Sequence, residues 1–253
     1  MHAVKTTTTA QAIDPIVDEL MTIGMKKTAE TLDELYNTPA FLEIDRVELL
    51  TRLIEPEYHA FINRRYTSRL KFAHLSGCPQ ELSSCVDSAD RVYVPEGVVK
   101  TLSTGNYIRN GMNICILGAS NSGKTYLSKA MGIAACTDFT VEYYCTEELI
   151  EQLSDIKEQD LAKYNKRKKH LCKLDLLILD DFLLHSITDE RQVKVLHELL
   201  NKRAEALKST IVCSQRLPQN WKVMILNDEI AADAIEKRAT KHYIVMIESK
   251  KDE

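Results

Sequence analysis

No run of 18 apolar residues occurs in this 253-residue chain, so no membrane-spanning helix is expected. The opening stretch, MHAVKTTTTAQAID, lacks the apolar centre and cleavage pattern of a secretory leader. Its seven cysteines form no CxxC pair, which excludes a redox dithiol or a zinc ribbon. Several sit inside apolar runs such as NICIL and STIVCS, as buried free thiols of a reducing cytoplasm would. His74 with Cys78 and Cys85 lacks the second close pair that a metal site needs. Excess charge of one sign is missing too. With 33 basic against 37 acidic residues, a basic coat for nucleic acid is ruled out, although local patches are not. Aromatic residues make up only 6% of the chain, and the single tryptophan, Trp221, reads as packing.

What the chain has is a globular composition, 44% apolar and 28% charged, enough for one core plus a small accessory domain. Residues 1–11, with Thr6 to Thr9, read as a flexible tail. Residues 12–75 read as a helical N-terminal domain. Asp14-Pro15 suits an N-cap with proline at the first helical position, and Gly24 suits a helix stop. Asp45 and Glu48 have capping-box spacing. After them Leu49, Leu50, Leu53, Ile54, Tyr58, Phe61 and Ile62 recur at helical intervals, which predicts a small helical core. Pro56 either kinks that helix or restarts it. Residues 76–93, with SGCPQELSSCVDSAD, read as a linker.

From residue 94 to 253 the texture changes. Apolar runs at 113–118, 141–146, 174–181, 209–215 and 242–248 alternate with helical stretches. Continuous apolar strands separated by helices predict an α/β domain whose parallel sheet is covered on both faces. The first run leads into GASNSGKT, which fits GxxxxGK[ST] at Gly118, Gly123, Lys124 and Thr125. Glycines let the chain turn so tightly that the N–H groups of Ala119, Ser120, Asn121 and Ser122 point inward at phosphate oxygens. The following helix adds its positive end. Lys124 is placed to reach the β- and γ-phosphates of a bound ATP, and the Thr125 hydroxyl to ligate Mg²⁺. The run LLILDD ends a buried strand on two acids, Asp180 and Asp181. Asp180 is the candidate metal ligand, and Asp181 the candidate that orients the attacking water. At the end of STIVCSQ, either Ser214 or Gln215 is placed to sense the γ-phosphate.

The order GASNSGKT, LLILDDF, TIVCSQRLPQNW, DEIAADAIEKR resembles the IstB-like ATPases, AAA+ helpers of bacterial insertion-sequence transposition related to the DnaC helicase loader. The resemblance covers about residues 12 to 248, and its N-terminal part rests on NRRYTSRLKFAHL. It implies a P-loop AAA+ core behind a small helical domain, with ATP hydrolysis as the activity. It also implies that Arg238, in ADAIEKR, acts as a finger on the ATP of a neighbouring subunit in a homo-oligomer. Two positions depart from the family pattern: Cys213 stands for the usual threonine of TSQ, and Lys237 for the aspartate before the arginine. The stretch after Arg238 leaves room for a strand and a KKDE tail but not for a helical lid, so neighbouring subunits or the N-terminal domain would complete the site.

Two stretches are basic without interleaved acids: Arg64, Arg65, Arg69 and Lys71, then Lys163 to Lys173 with Lys166, Arg167, Lys168 and Lys169. By themselves such runs are ordinary solvated faces. Together with the resemblance they become candidates for duplex DNA contact through the backbone, without base readout. The expected function is an ATP-dependent helper that oligomerises on duplex DNA and recruits or activates a transposase, with hydrolysis dismantling the assembly. A replicative-helicase loader, a small-molecule P-loop kinase and a non-hydrolysing adaptor are the alternatives.

Overall fold

The computed structural model describes residues 10–226 and 228–249. The expected tail falls largely outside this range, as does the KKDE end, while residues 10 and 11 are helical. The chain divides into two compact units, one up to Thr67 and one from Ser68 onward.

The first unit contains α1 (Ala10–Thr22), α2 (Lys26–Tyr36) and the greater part of α3 (Arg46–Phe72). Pro15 lies inside α1 instead of opening it, whereas Gly24 does sit in the left-handed region that stops a helix. Asp45 accepts from the Val47 N–H at 2.9 Å, and α3 runs through Pro56 without interruption. The expected core along α3 is not there. No residue of this helix is buried, and Leu50, Ile54, Tyr58 and Phe61 are 47–61% exposed. The buried positions of the unit, Ile13, Thr28, Ala29 and Leu32, come from α1 and α2. These helices meet α3 through polar bonds, Lys27 N–H to Glu57 and Thr28 Oγ1 to the Leu53 carbonyl, and of its stripe only Leu49, Leu53 and Ile62 are half-buried.

In the second unit the chain continues through β1 (Arg91–Val94), α4 (Val98–Ser103), α5 (Asn106–Arg109), β2 (Ile114–Gly118), α6 (Lys124–Ala135) and β3 (Val141–Cys145). Then follow α7 (Thr146–Gln159), α8 (Leu161–Lys173), β4 (Leu176–Asp180), α9 (Glu190–Glu205), β5 (Ser209–Ser214), α10 (Trp221–Met224), α11 (Glu229–Ala239) and β6 (Tyr243–Ser249). Among the described residues the strands form one sheet in the order β1-β6-β2-β5-β4-β3. All neighbours are parallel except β1, which pairs antiparallel with β6. β1 occupies part of the stretch expected to be linker; its four residues are too few and too mixed for an apolar run.

Alternation along the strands explains the layers. Cys115, Leu117, Leu177, Leu179 and Val212 face the helices α7 to α11 and close one core with Leu153, Leu196, Leu199 and Trp221. Ile178 faces the other way, toward α6. Gly132 allows the close approach there, since a Cβ would lie 2.7 Å from Ile178 Cδ1. Arg203 of α9 is fully buried and acts as a peg between elements. It donates to the Leu171, Leu174 and Ser209 carbonyls and to Thr210 Oγ1.

Candidate nucleotide site

The parallel strands end together at one edge of the sheet, where β2 gives way to the loop 118–123 and α6. Asn121 (φ +60°) and Gly123 (φ +104°) adopt left-handed conformations that fold the loop over the helix start. Gly118 is tightly walled: a Cβ there would meet Ser122 Oγ at 2.6 Å and the Ile247 carbonyl at 2.7 Å. Lys124 is 6% exposed and its Nζ donates to the Gly118 and Ala119 carbonyls at 2.9 and 2.6 Å, bracing the loop from inside. Burial lowers the pKa of its ammonium, while Cys213, Asp180 and Asp181 act to raise it. Ser122 Oγ is buried and has no hydrogen-bond partner. An orphaned hydroxyl, a braced ammonium and a helix N-terminus on one loop fit a bound phosphate chain.

Asp180, 2% exposed, ends β4. Its Oδ2 accepts from the Tyr143 hydroxyl at 2.6 Å and its Oδ1 from the Asp181 N–H at 3.0 Å. The Thr146 hydroxyl holds its carbonyl at 2.6 Å. Each carboxylate oxygen keeps a lone pair for a cation. Asp181 follows at φ +50°, and burial followed by the charge of Asp180 pushes its carboxyl above the usual range. The turn is clamped to β5, because Phe182 N–H donates to the Cys213 carbonyl at 2.7 Å and Ser214 Oγ donates to the Phe182 carbonyl at 2.8 Å. Ser214 is fully buried in that bond, whereas Gln215 is exposed beyond it. Of the two residues expected to sense the γ-phosphate, Gln215 alone has a free side chain. The Cys213 thiol sits against Ser128 and Asp180, and complete burial holds it protonated. Tyr143 and Thr146 were not predicted as site residues, since no motif marks them, and Cys213 was marked only as a departure from TSQ; strand pairing brings this part of the chain beside Asp180.

Arg238 lies at the other edge of the sheet. Its carbonyl accepts from Asn113 Nδ2, just before β2, at 2.7 Å. Its guanidinium donates to Asn201 Oδ1 and to the Ala234 carbonyl, beside a cavity of about 320 Å³ that Lys237, Lys241 and His242 also line. The length of β2, about 16 Å at roughly 3.3 Å per residue, separates it from the loop.

The basic runs are partly consumed by the fold. Arg69 donates to the Cys136 and Thr137 carbonyls, closing the C-terminus of α6. Arg167 pairs with Glu142 and Tyr144, and Lys168 with Glu198. Arg64 pairs with Glu57, and Arg65 lies 5.5 Å over the Phe61 ring. Lys71, Lys166 and Lys169 are exposed. Among the described residues no three His, Cys, Asp or Glu are grouped to hold a metal ion, His74 with Cys78 and Cys85 included. No helix among them is long and apolar enough to cross a membrane.

Sheet order, phosphate loop and strand-end acid together define a P-loop ATP-binding protein with the AAA+ fold. Its residues 18–252 match the family of IstB-like ATP binding proteins, and the chain belongs to that family. An insertion sequence ATP-binding protein of Sinorhizobium fredii is 30% identical over 222 residues, 87% of this chain and 88% of the relative. The ATP-binding protein of the insertion sequence IS1162 from Pseudomonas fluorescens is 29% identical, covering 79% and 84%. Among solved structures, AMPPCP-bound DnaA from Aquifex aeolicus superposes with a TM-score of 0.53 at 22% identity, over 66% of this chain and 50% of that one. DnaI superposes with a TM-score of 0.53 at 19% identity, over 69% and 91%.

Proposed function

We propose that the protein is an ATPase serving as a helper of insertion-sequence transposition, assembling on duplex DNA through ATP-bridged subunits and engaging a transposase. The names of its relatives tie the family to insertion sequences. The observation that carries the subunit-bridging part is the separation of Arg238 from the loop of its own chain, a distance beyond the reach of an arginine side chain. A phosphate touched by Arg238 therefore belongs to another copy. Lys124 and the loop N–H groups bind the triphosphate, and Thr125 with Asp180 would hold Mg²⁺, which offsets phosphate charge when bound. Asp181, exposed enough to meet water and held in place by the turn, orients the nucleophile, and Gln215, exposed at the end of β5, is the candidate γ-phosphate contact. Arg238 from a neighbour stabilises charge on the transferred group, which couples turnover to assembly. DNA contact falls to Lys166 and Lys169 in the second unit, with Lys71; in the first unit Arg64 and Arg65 remain candidates once their local partners release them. The organisation proposed is a helical unit of residues 12–75 and a connection over 76–90, with the ATPase domain starting at Arg91 of β1 in place of the expected 94.

The test compares wild type with Arg238→Glu, measuring ATP-dependent self-association by light scattering and phosphate release with and without duplex DNA. The variant should bind ATP, stay unassembled and lose turnover by about 10³-fold, the lower end for an arginine finger. Assembly and turnover equal to wild type would overturn the bridging role. Recovery of a replicative helicase in place of a transposase in a pull-down would redirect the reading to helicase loading.

A further inference from the structure

Arg91, which opens β1, belongs to no motif. In the sheet it stands opposite Ser249 of β6, and Ile247 of the same strand is level with Gly118 of β2, so Arg91 shares the edge from which the phosphate loop springs. Its guanidinium lies flat against the last glycine of that loop. A Cβ on Gly123 would sit 2.8 Å from the Arg91 Cζ and 3.0 and 3.1 Å from its two terminal nitrogens. No ion pair joins this guanidinium to a carboxylate among the described residues. Its side-chain neighbours include the Tyr93 hydroxyl and the Cys85 thiol, both held neutral by burial.

Three positive centres therefore converge on one loop: the Lys124 ammonium, the first turn of α6 and Arg91. Among the described residues no ion pair between Arg91 and a carboxylate offsets their mutual repulsion. The unpartnered, 98%-buried hydroxyl of Ser122 lies within the same loop, a second sign of a missing acceptor-rich ligand. Sheet order tells which part of the ligand Arg91 meets. β5 and β4, with Asp180 and Asp181, lie on one side of β2; β6 and β1 lie on the other. The acids mark the γ-phosphate end, and Arg91 approaches from the opposite side.

We infer that Arg91 is a nucleotide-binding residue that grips the α- and β-phosphates, shared by nucleoside di- and triphosphates, through the two-pronged geometry of its guanidinium. This rests on the ATP-binding reading of the loop. The test is equilibrium binding of ATP, ADP and adenosine to the full chain, for wild type, Arg91→Gln, Arg91→Lys and Lys124→Ala. Arg91→Gln should weaken ATP and ADP by the same factor, about tenfold or more for a lost charge-assisted hydrogen bond, and leave adenosine unaffected. It should also flatten the salt dependence of ADP affinity, with Arg91→Lys recovering part of both effects. Unchanged affinities, a loss confined to ATP, or an equal loss for adenosine would overturn the inference. If Arg91→Gln lowers the melting temperature without nucleotide, the Arg91→Lys salt dependence decides in its place, a value steeper than that of Arg91→Gln supporting the charge contact and one equally flat refuting it. Failure of wild type to bind ATP, or full binding by Lys124→Ala, would instead sink the underlying reading of the loop.

Discussion

Asp181→Asn should separate stability from turnover, moving them in opposite directions. Asp181 sits at φ +50°, a region that asparagine tolerates as well as aspartate, so the substitution adds no backbone strain. Burial and then the Asp180 charge raise the pKa of its carboxyl above the unfolded value of 3.8, with Lys124 and His185 opposing. The sign follows from proton binding. Above pH 3.8 the folded state holds more protons on this group than the unfolded state does, so the contribution of Asp181 to stability declines as pH rises through that window and stays unfavourable beyond it. Replacing the charge with a neutral amide should therefore stabilise the fold at neutral pH, by less than about 1 kcal/mol in a partly hydrated position. The difference from wild type should vanish near the ordinary carboxylate range. Turnover should fall by about 10²- to 10⁴-fold, the usual share of a positioned proton acceptor, with ATP still bound. Urea denaturation at pH 7 and pH 4 with phosphate release on the same samples makes the comparison. A variant less stable than wild type at pH 7, or one that retains turnover, would refute the reasoning.

Tyr143→Phe removes the 2.6 Å hydrogen bond to Asp180 Oδ2 and should destabilise the chain by about 1.5–3 kcal/mol in urea, the range for a bond to a charged group. A loss below about 0.5 kcal/mol would mean that Asp180 draws its support elsewhere. Arg203→Met leaves the Leu171, Leu174 and Ser209 carbonyls without their donor and should cost about 3 kcal/mol or more, although burial lowers the arginine to a pKa of about 10 and so taxes the native residue. Stability within about 1 kcal/mol of wild type would refute the peg role.

Much of the fold is legible because local pattern and tertiary burial agree. The five apolar runs become β2 to β6, since a strand covered on both faces must be apolar throughout. β1 is not legible: Arg91–Val94 is short and only Tyr93 of it is buried, and its partner β6 lies some 150 residues further along the chain. The stripe on α3 shows what periodicity leaves open. It identifies a face that could be buried but says nothing of whether another helix covers it. Charge behaves similarly. Lys163 to Lys173 contains no acid, yet Glu142 and Glu198, distant in sequence, neutralise Arg167 and Lys168. At the end of β5, Ser214 is spent on the Phe182 carbonyl while Gln215 is exposed, a difference that depends on the pairing of β4 with β5 and that a single strand cannot reveal.

The turn after β4 bears on when hydrolysis can begin. Asp181 and Leu183 both adopt left-handed backbone, φ +50° and +54°, conformations that cost a non-glycine residue about 1–3 kcal/mol each. They persist because Phe182 is bonded to β5 at both its N–H and its carbonyl, through Cys213 and Ser214. The strain is thus supported by the sheet itself. In the proposed mechanism Asp181 is therefore held by the fold, and closure of this turn is not the step that licenses chemistry. In that mechanism the contribution a single copy does not make to its own nucleotide is the finger arginine, because Arg238 is bound at the far edge of the sheet. In the proposed mechanism the remaining variable is the arrival of a neighbour, and turnover should rise with protein concentration more steeply than the first power.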